Sequence, residues 1–202
     1  MTTEIAVPPW EDYPVFTIQP RADWQFWLAG LSPEGWAEIA GKVPAGDVDA
    51  TSVVDAVRAV DQRAVGEEQV WAAGIWFPES NGRRATASLL LRTYGRRGDA
   101  RKAARRFAKD VRRAPRIPGV DVHGYTVETG DAEYGPLVVQ YIDTSDRDGT
   151  LIYTCRLSFF PHFKDEVVVL DCDTPYSHLV DEVQDELVEL LNDSVYATDD
   201  PE

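Results

Sequence analysis

The chain has 202 residues, 44% of them hydrophobic and 10% aromatic, and a formal net charge of −15. That length suits one domain with a sizeable core, and that composition excludes an intrinsically disordered chain. The acidity disfavours non-specific binding to nucleic acid or anionic membrane by the molecule as a whole, and no run of about eighteen apolar residues exists to span a bilayer.

The opening residues, MTTEIAVPPWEDY, lack the basic and apolar regions of a secretory signal, so a cytoplasmic protein is expected. Pro8, Pro9 and Pro14 predict an extended start with an edge strand over 15–19. Residues 24–29, WQFWLA, read as a strand. Ser32 followed by Pro33 is a helix-start signal, and that helix runs out near Gly41. Val53, Val54, Val57 and Val60 recur at helical spacing, with Ser52 in position to cap them. Residues 70–77 and 85–94 read as two strands joined by a turn at Ser80, Asn81 and Gly82.

Residues 99–114 form the clearest amphipathic helix of the first two thirds. Ala100, Ala103, Ala104, Phe107, Val111 and Ala114 share one face, and Arg101, Lys102, Arg105, Lys109 and Arg112 fill much of the rest. Asp99 is its expected N-cap, and Pro115 and Pro118 stop it. Strands are expected over 120–128, 136–143, 150–160 and 166–171, with a hairpin turn at Asp148 and Gly149. Val167, Val168, Val169 and Leu170 do not alternate with polar residues, which predicts a strand covered on both faces. A last helix is expected to open at Thr174 and Pro175, with Leu179, Val183, Leu187 and Leu190 as its core stripe.

These elements define an α+β domain over residues 1–196, a largely antiparallel sheet flanked by helices as an α/β/α sandwich. Residues 1–30 form its extended, aromatic-rich start, and 197–202 an acidic flexible tail.

The C-terminal pattern of an antiparallel meander, an apolar strand, a Thr-Pro turn and a closing amphipathic helix runs LIYTCRLSFFPHFKDEVVVLDCDTPYSHLVDEVQDELVELL. It resembles the PsbP/DcrB-like superfamily over residues 71–195, leaving the N-terminal third outside the likeness. That group includes a photosystem accessory protein, a Ran-binding nuclear import factor, mycobacterial lipoproteins and chaperones for type VI secretion effectors. The resemblance implies a non-catalytic binding protein and carries over no site residue.

Phosphate-binding templates fail, since neither GxxxxGK[ST] nor GxGxxG after a strand is present. His123, His162 and His178 are scattered, and no metal site or cofactor is expected. Asp171 and Asp173 could hold Mg²⁺ as a DxD pair, but acids before a helix more often serve its N-terminus. Ser177 with His178, or Cys155 with His162, lacks the setting of a nucleophile and base. Cys155 and Cys172 read as small buried thiols; a bridge needs their strands to pair, and a reducing compartment opposes one.

Two features remain. Residues 83–116 hold thirteen Lys and Arg against two acids, Asp99 and Asp110. Arg101, Arg105, Lys109 and Arg112 are then either a solvated face or a site for an acidic protein partner, with nucleic acid the weaker fit. All six tryptophans lie within the first 76 residues. Trp24 and Trp27 are candidate anchors for a partner, or their group a ligand pocket, against the alternative of a satellite core. The expectation is a protein-binding chaperone or adaptor for a secretion or assembly pathway. An enzyme on an unfamiliar template, and a small-molecule binder using the aromatic group, are the alternatives.

Overall fold

The structure, a computed structural model, describes residues 15–17, 21, 23–44, 48–145, 147–193 and 195–197. Trp10, Tyr13 and the tail residues 198–202 lie outside them. Seven strands form one sheet: β2 (Trp24–Leu28), β3 (Val70–Trp76), β4 (Ala87–Gly95), β5 (Asp121–Ala132), β6 (Gly135–Ser145), β7 (Leu151–Phe159) and β8 (Glu166–Thr174). Their spatial order is β2-β3-β4-β8-β7-β6-β5, and every neighbouring pair is antiparallel. A separate two-stranded ribbon pairs β1 (Val15–Thr17) with β9 (Val195–Ala197), the latter a strand that the sequence pattern does not predict. The helices are α1 (Pro33–Lys42), α2 (Ala50–Gly66), α3 (Ala100–Asp110) and α4 (Val180–Asp193). The fold is α+β, as expected.

Neighbouring residues of a strand point to opposite faces, so the core clusters show which helix covers which face. Ala72 and Trp76 of β3 pack with Leu89, Leu157, Leu170 and the α4 stripe Val183, Leu187 and Leu190. Ala73 and Ile75 pack instead with Val53 and Val57 of α2 and Ile39 of α1. Burying Leu187 and Leu190 completely contributes about 2 kcal/mol each. On the α2 side, Val138 lies opposite Ser158, Ser158 opposite Val169, and Val169 opposite Arg92. Helix α3 rests on Val138 and Phe160 through Ala100, Ala104 and Ala108, whose small side chains let it sit low. The layers are therefore α4, the sheet, and then α1, α2 and α3.

Local chemistry sets the helix ends. Ser32 Oγ accepts from Gly35 N, as its position predicts. Helix α2 is capped three residues earlier than expected. Asp49 accepts from Thr51 N and Ser52 N, while Ser52 uses its hydroxyl to donate to Asp49. Asp99 caps α3 through Lys102 N. The expected start of α4 at Thr174 is corrected by β8, which runs to that residue. Thr174 Oγ1 donates to the Thr86 carbonyl, and the helix begins only after a tight turn over Ser177–Leu179.

Candidate functional site

Trp24, Trp27 and Trp36 are structural ties between elements. Trp24 and Trp27 are 1% and 3% exposed, so the expected role of partner-facing anchors is corrected to one in the core. On the α4 face, Trp24 stacks between Phe26 and Trp76, at centroid distances of 5.3 and 6.3 Å. Its indole N–H donates to Glu186 of α4 at 3.2 Å. On the other face, Trp27 Nε1 donates to Asp61 Oδ1 of α2 at 3.0 Å, and Trp36 Nε1 donates to Asp61 Oδ2 at 3.0 Å. Gly30 N and Leu31 N complete four donors on that buried carboxylate. Trp24, Phe26 and Trp27 are thus packed among core side chains.

The thirteen cations of residues 83–116 do not form one patch. Arg83 donates to Asp23, and Arg92 to Glu67 and Asp171. Arg96 is buried and binds the carbonyls of Gly98, Pro161 and Lys164, tying the start of α3 to the turn between β7 and β8. These three hold the fold together. Helix α3 carries five of the others, Arg101, Lys102, Arg105, Arg106 and Lys109, outward, because its alanine face is spent on the sheet. Arg101, Arg105 and Lys109 are exposed on it, and Arg112 is exposed in the turn just beyond Asp110 rather than within the helix. Arg101 meets Asp131 of β5 at 3.5 Å, and Arg106 meets Asp110 at 3.9 Å. Arg105 and Lys109 have no ion pair among the described residues. A small cleft of about 240 Å³ separates Arg101 and Arg105 from Thr129, Gly130 and Asp131 of the outermost strand, β5. At the same end, Tyr134 and Phe163 make an edge-to-face pair at 6.1 Å, the rings 44% and 46% exposed.

A second polar feature lies on the sheet between α2 and α3. Asp171 Oδ2 accepts from Arg156 at 2.7 Å and from Arg92 at 3.2 Å. Asp173 accepts from Arg63 of α2 and from Thr154, and Arg63 Nε donates to Glu67 at 2.8 Å. Burial alone would raise the Glu67 carboxyl, but Arg63 and Arg92 more than offset it and hold it below the usual carboxylate range. Burial likewise opposes the charge on Arg63, and Asp173 and Glu67 overcome it, pushing the guanidinium further up. The two aspartates of the DxD are thus engaged by arginines, and among the described residues no group of three or more potential ligands could hold a metal ion.

Of the residues weighed as nucleophile and base, Cys155 is buried and His162 exposed. Cys155 points into the α4-side core, where burial pushes its thiol up to about 12. His123 Nε2 is paired with Ser145 Oγ at 2.7 Å, and His178 packs edge-on against Tyr176.

No protein-family model matches the chain, and no curated protein does. An all-antiparallel sheet sandwiched between one closing helix and three others defines the class of fold. The chain is similar in structure to cyanobacterial PsbP (CyanoP) from Synechocystis sp. PCC 6803, known from its solution structure. The TM-score is 0.50 at 10% identity, over 97% of this chain and 94% of that one. The fold is therefore PsbP-like. The likeness takes in the N-terminal third as well, which the sequence resemblance leaves out.

Proposed function

We propose that this chain is a non-catalytic protein-binding module, a chaperone or adaptor of a secretion or assembly pathway, that docks an acidic partner segment against α3. The observation that carries the reading is that Arg105 and Lys109 are exposed and without an ion pair among the described residues, on a helix whose other face is spent on the sheet. Arg101 and Arg112 extend the cationic row, and the exposed Tyr134–Phe163 pair beside it offers the aromatic contact that interface centres favour. A short acidic segment can lie on this row alone, whereas a nucleic acid would extend over the rest of a −15 molecule and be repelled by it. No helix among the described residues is long and apolar enough to cross a membrane. Placement in the cytoplasm is part of the proposal and is supported by two free buried thiols, Cys155 and Cys172, in directly facing positions.

The test is a titration of a fluorescent ten-residue peptide of Asp, Glu and Gly, with a Gln/Asn peptide as control, at several salt concentrations. The acidic peptide is expected to bind, and its affinity to fall as salt screens exposed charge. Replacing Arg101, Arg105, Lys109 and Arg112 together by Gln keeps helix propensity and should weaken binding at low salt by roughly tenfold or more. Equal binding by parent and variant across the salt series would reduce α3 to a solvated face.

A further inference from the structure

We infer that the cleft between α3 and the sheet, on the face that α2 also covers, is a binding site for a small acidic molecule with an apolar body. Helix α2 covers the β3–β4 end of this face and α3 the β6 end, so the middle of the sheet lies between them without a helix of its own. Residues 111–120 cross that gap on their way from α3 to β5. The space left beneath is a cavity of about 570 Å³. That is the size of pockets that enclose small organic ligands.

The lining divides into two chemistries. Phe107 from α3 and Val111 just after it, Val167 and Val169 from β8, and Tyr94 and Tyr125 from flanking strands supply apolar and aromatic surface. Against these stand Arg92, Arg113 and Arg156, with Asp110 the lone acid of the lining. Asp110 is already drawn to Arg106, and Arg113 is exposed with no ion pair among the described residues. Arg92 is neutralised by Glu67 and Asp171, and Arg156 in part by Asp171, so the charge left for a guest is that of Arg113 with the remaining N–H groups of Arg156. Ser158, on the same face, is fully buried, lines this cavity and has a hydroxyl without a hydrogen-bond partner among the described residues. A buried hydroxyl left unsatisfied is destabilising, and a ligand atom reaching the floor would remove that penalty. Gln140 and Tyr125 are already committed, Gln140 Nε2 to the Tyr125 hydroxyl at 2.8 Å and that hydroxyl to the Val111 carbonyl. They fix the wall rather than recognise the guest.

A second, smaller cavity of about 370 Å³ continues along the sheet towards α2, and Arg156 and Pro115 line both. Arg156 gives one Nη to Asp171 and sits where the two spaces meet. An acid group held between Arg113 and Arg156, with its apolar body against Phe107, Val167 and Val169, matches charge to charge and surface to surface. This site is separate from the outward face of α3 and needs no protein partner.

The probes are 8-anilinonaphthalene-1-sulfonate and its uncharged counterpart, N-phenyl-1-naphthylamine, titrated against the full chain and followed by protein NMR. The anionic probe is expected to saturate at one site, shifting Tyr94, Phe107 and Tyr125, and to bind roughly tenfold tighter than the neutral one. Arg113→Gln should remove most of that tenfold difference and leave the neutral probe unchanged. Val167→Trp fills the cavity from its rim and should abolish both, with the amide spectrum elsewhere preserved. Equal affinity for the two probes, binding unaffected by either variant, or shifts confined to α4 would overturn the assignment.

Discussion

Trp27 and Asp61 form a buried pair in which an indole N–H from β2 meets a carboxylate from α2 at 3.0 Å. The same carboxylate takes Trp36 Nε1 and two backbone N–H groups, so four donors depend on one side chain. Asp61→Asn keeps the shape but turns one acceptor into a donor that faces two other donors. The expected loss is about 2–4 kcal/mol, read from chemical denaturation, with a shift in tryptophan emission. A loss below about 0.5 kcal/mol, the range of ordinary surface changes, would mean that the cluster is not holding α1 and α2 to the sheet.

Gly74 faces Phe26 across the β2–β3 ladder, and a Cβ there would lie 2.5 Å from two ring carbons. Phe26 cannot swing away freely, because it is stacked on Trp24. Gly74→Ala should therefore destabilise by roughly 1–3 kcal/mol through overpacking. Gly41→Ala meets nothing within 4 Å in its helix and should be neutral or stabilising, which makes it the control. Equal effects from the two changes would count against the tight approach of β2 to β3.

Glu67 predicts an acid-sensitive tie. Its carboxyl titrates below the ordinary value of 4.5 when folded, so its ion pairs stabilise the fold above about pH 4.5. That contribution is lost as pH falls through the lower folded value. Asp49 and Asp99, whose carboxyls are lowered by hydrogen bonds from Ser52 and from the Lys102 backbone, act in the same direction. Comparing urea midpoints between pH 6 and pH 3, Glu67→Gln should show the shallower decline. Parallel declines would remove Glu67 from the network.

Cys155 and Cys172 occupy facing positions of β7 and β8, both buried on the α4 side. Burial pushes both thiols up, that of Cys155 to about 12. At pH 8 a thiol reagent should label them only as fast as the sheet opens, and labelling should follow urea concentration rather than pH. Prompt labelling of the native protein would contradict the burial. A protein that shows no reactive thiols in urea without reductant would reveal a bridge.

Much of the architecture could be read from residue pattern. Helix α3 and its cap Asp99, the four strands after it and the stripe Val183, Leu187 and Leu190 follow from periodicity and turn chemistry, which are local. The groove on the sheet could not be read in this way. It depends on β8 inserting between β4 and β7, which brings Arg63 to Asp173 across 110 positions of sequence. Trp24 and Trp27 were misjudged for a related reason. Residue type marks them as candidate interface anchors, while the carboxylates that satisfy them, Glu186 and Asp61, come from helices far along the chain. Of the basic segment, the helical half was legible as a face. The roles of Arg83, Arg92 and Arg96 needed the tertiary partners.

The central place of β8 also governs the order of events during synthesis. Strands β2, β3 and β4, with α1 and α2 between the first two, leave the ribosome as an antiparallel unit whose inner edge, on β4, has its partner only in residues 166–174. Until those residues clear the exit tunnel, Leu89 and Leu91 have neither β8 beside them nor α4 above them. An open apolar edge of that kind is a template for wrong pairing. The nascent chain is thus expected to be a client of general chaperones until residues 166–193 have emerged. A chain arrested with only residues up to 165 outside the tunnel should be protease-sensitive, and one held on an added C-terminal linker with residues 166–193 also outside should be resistant.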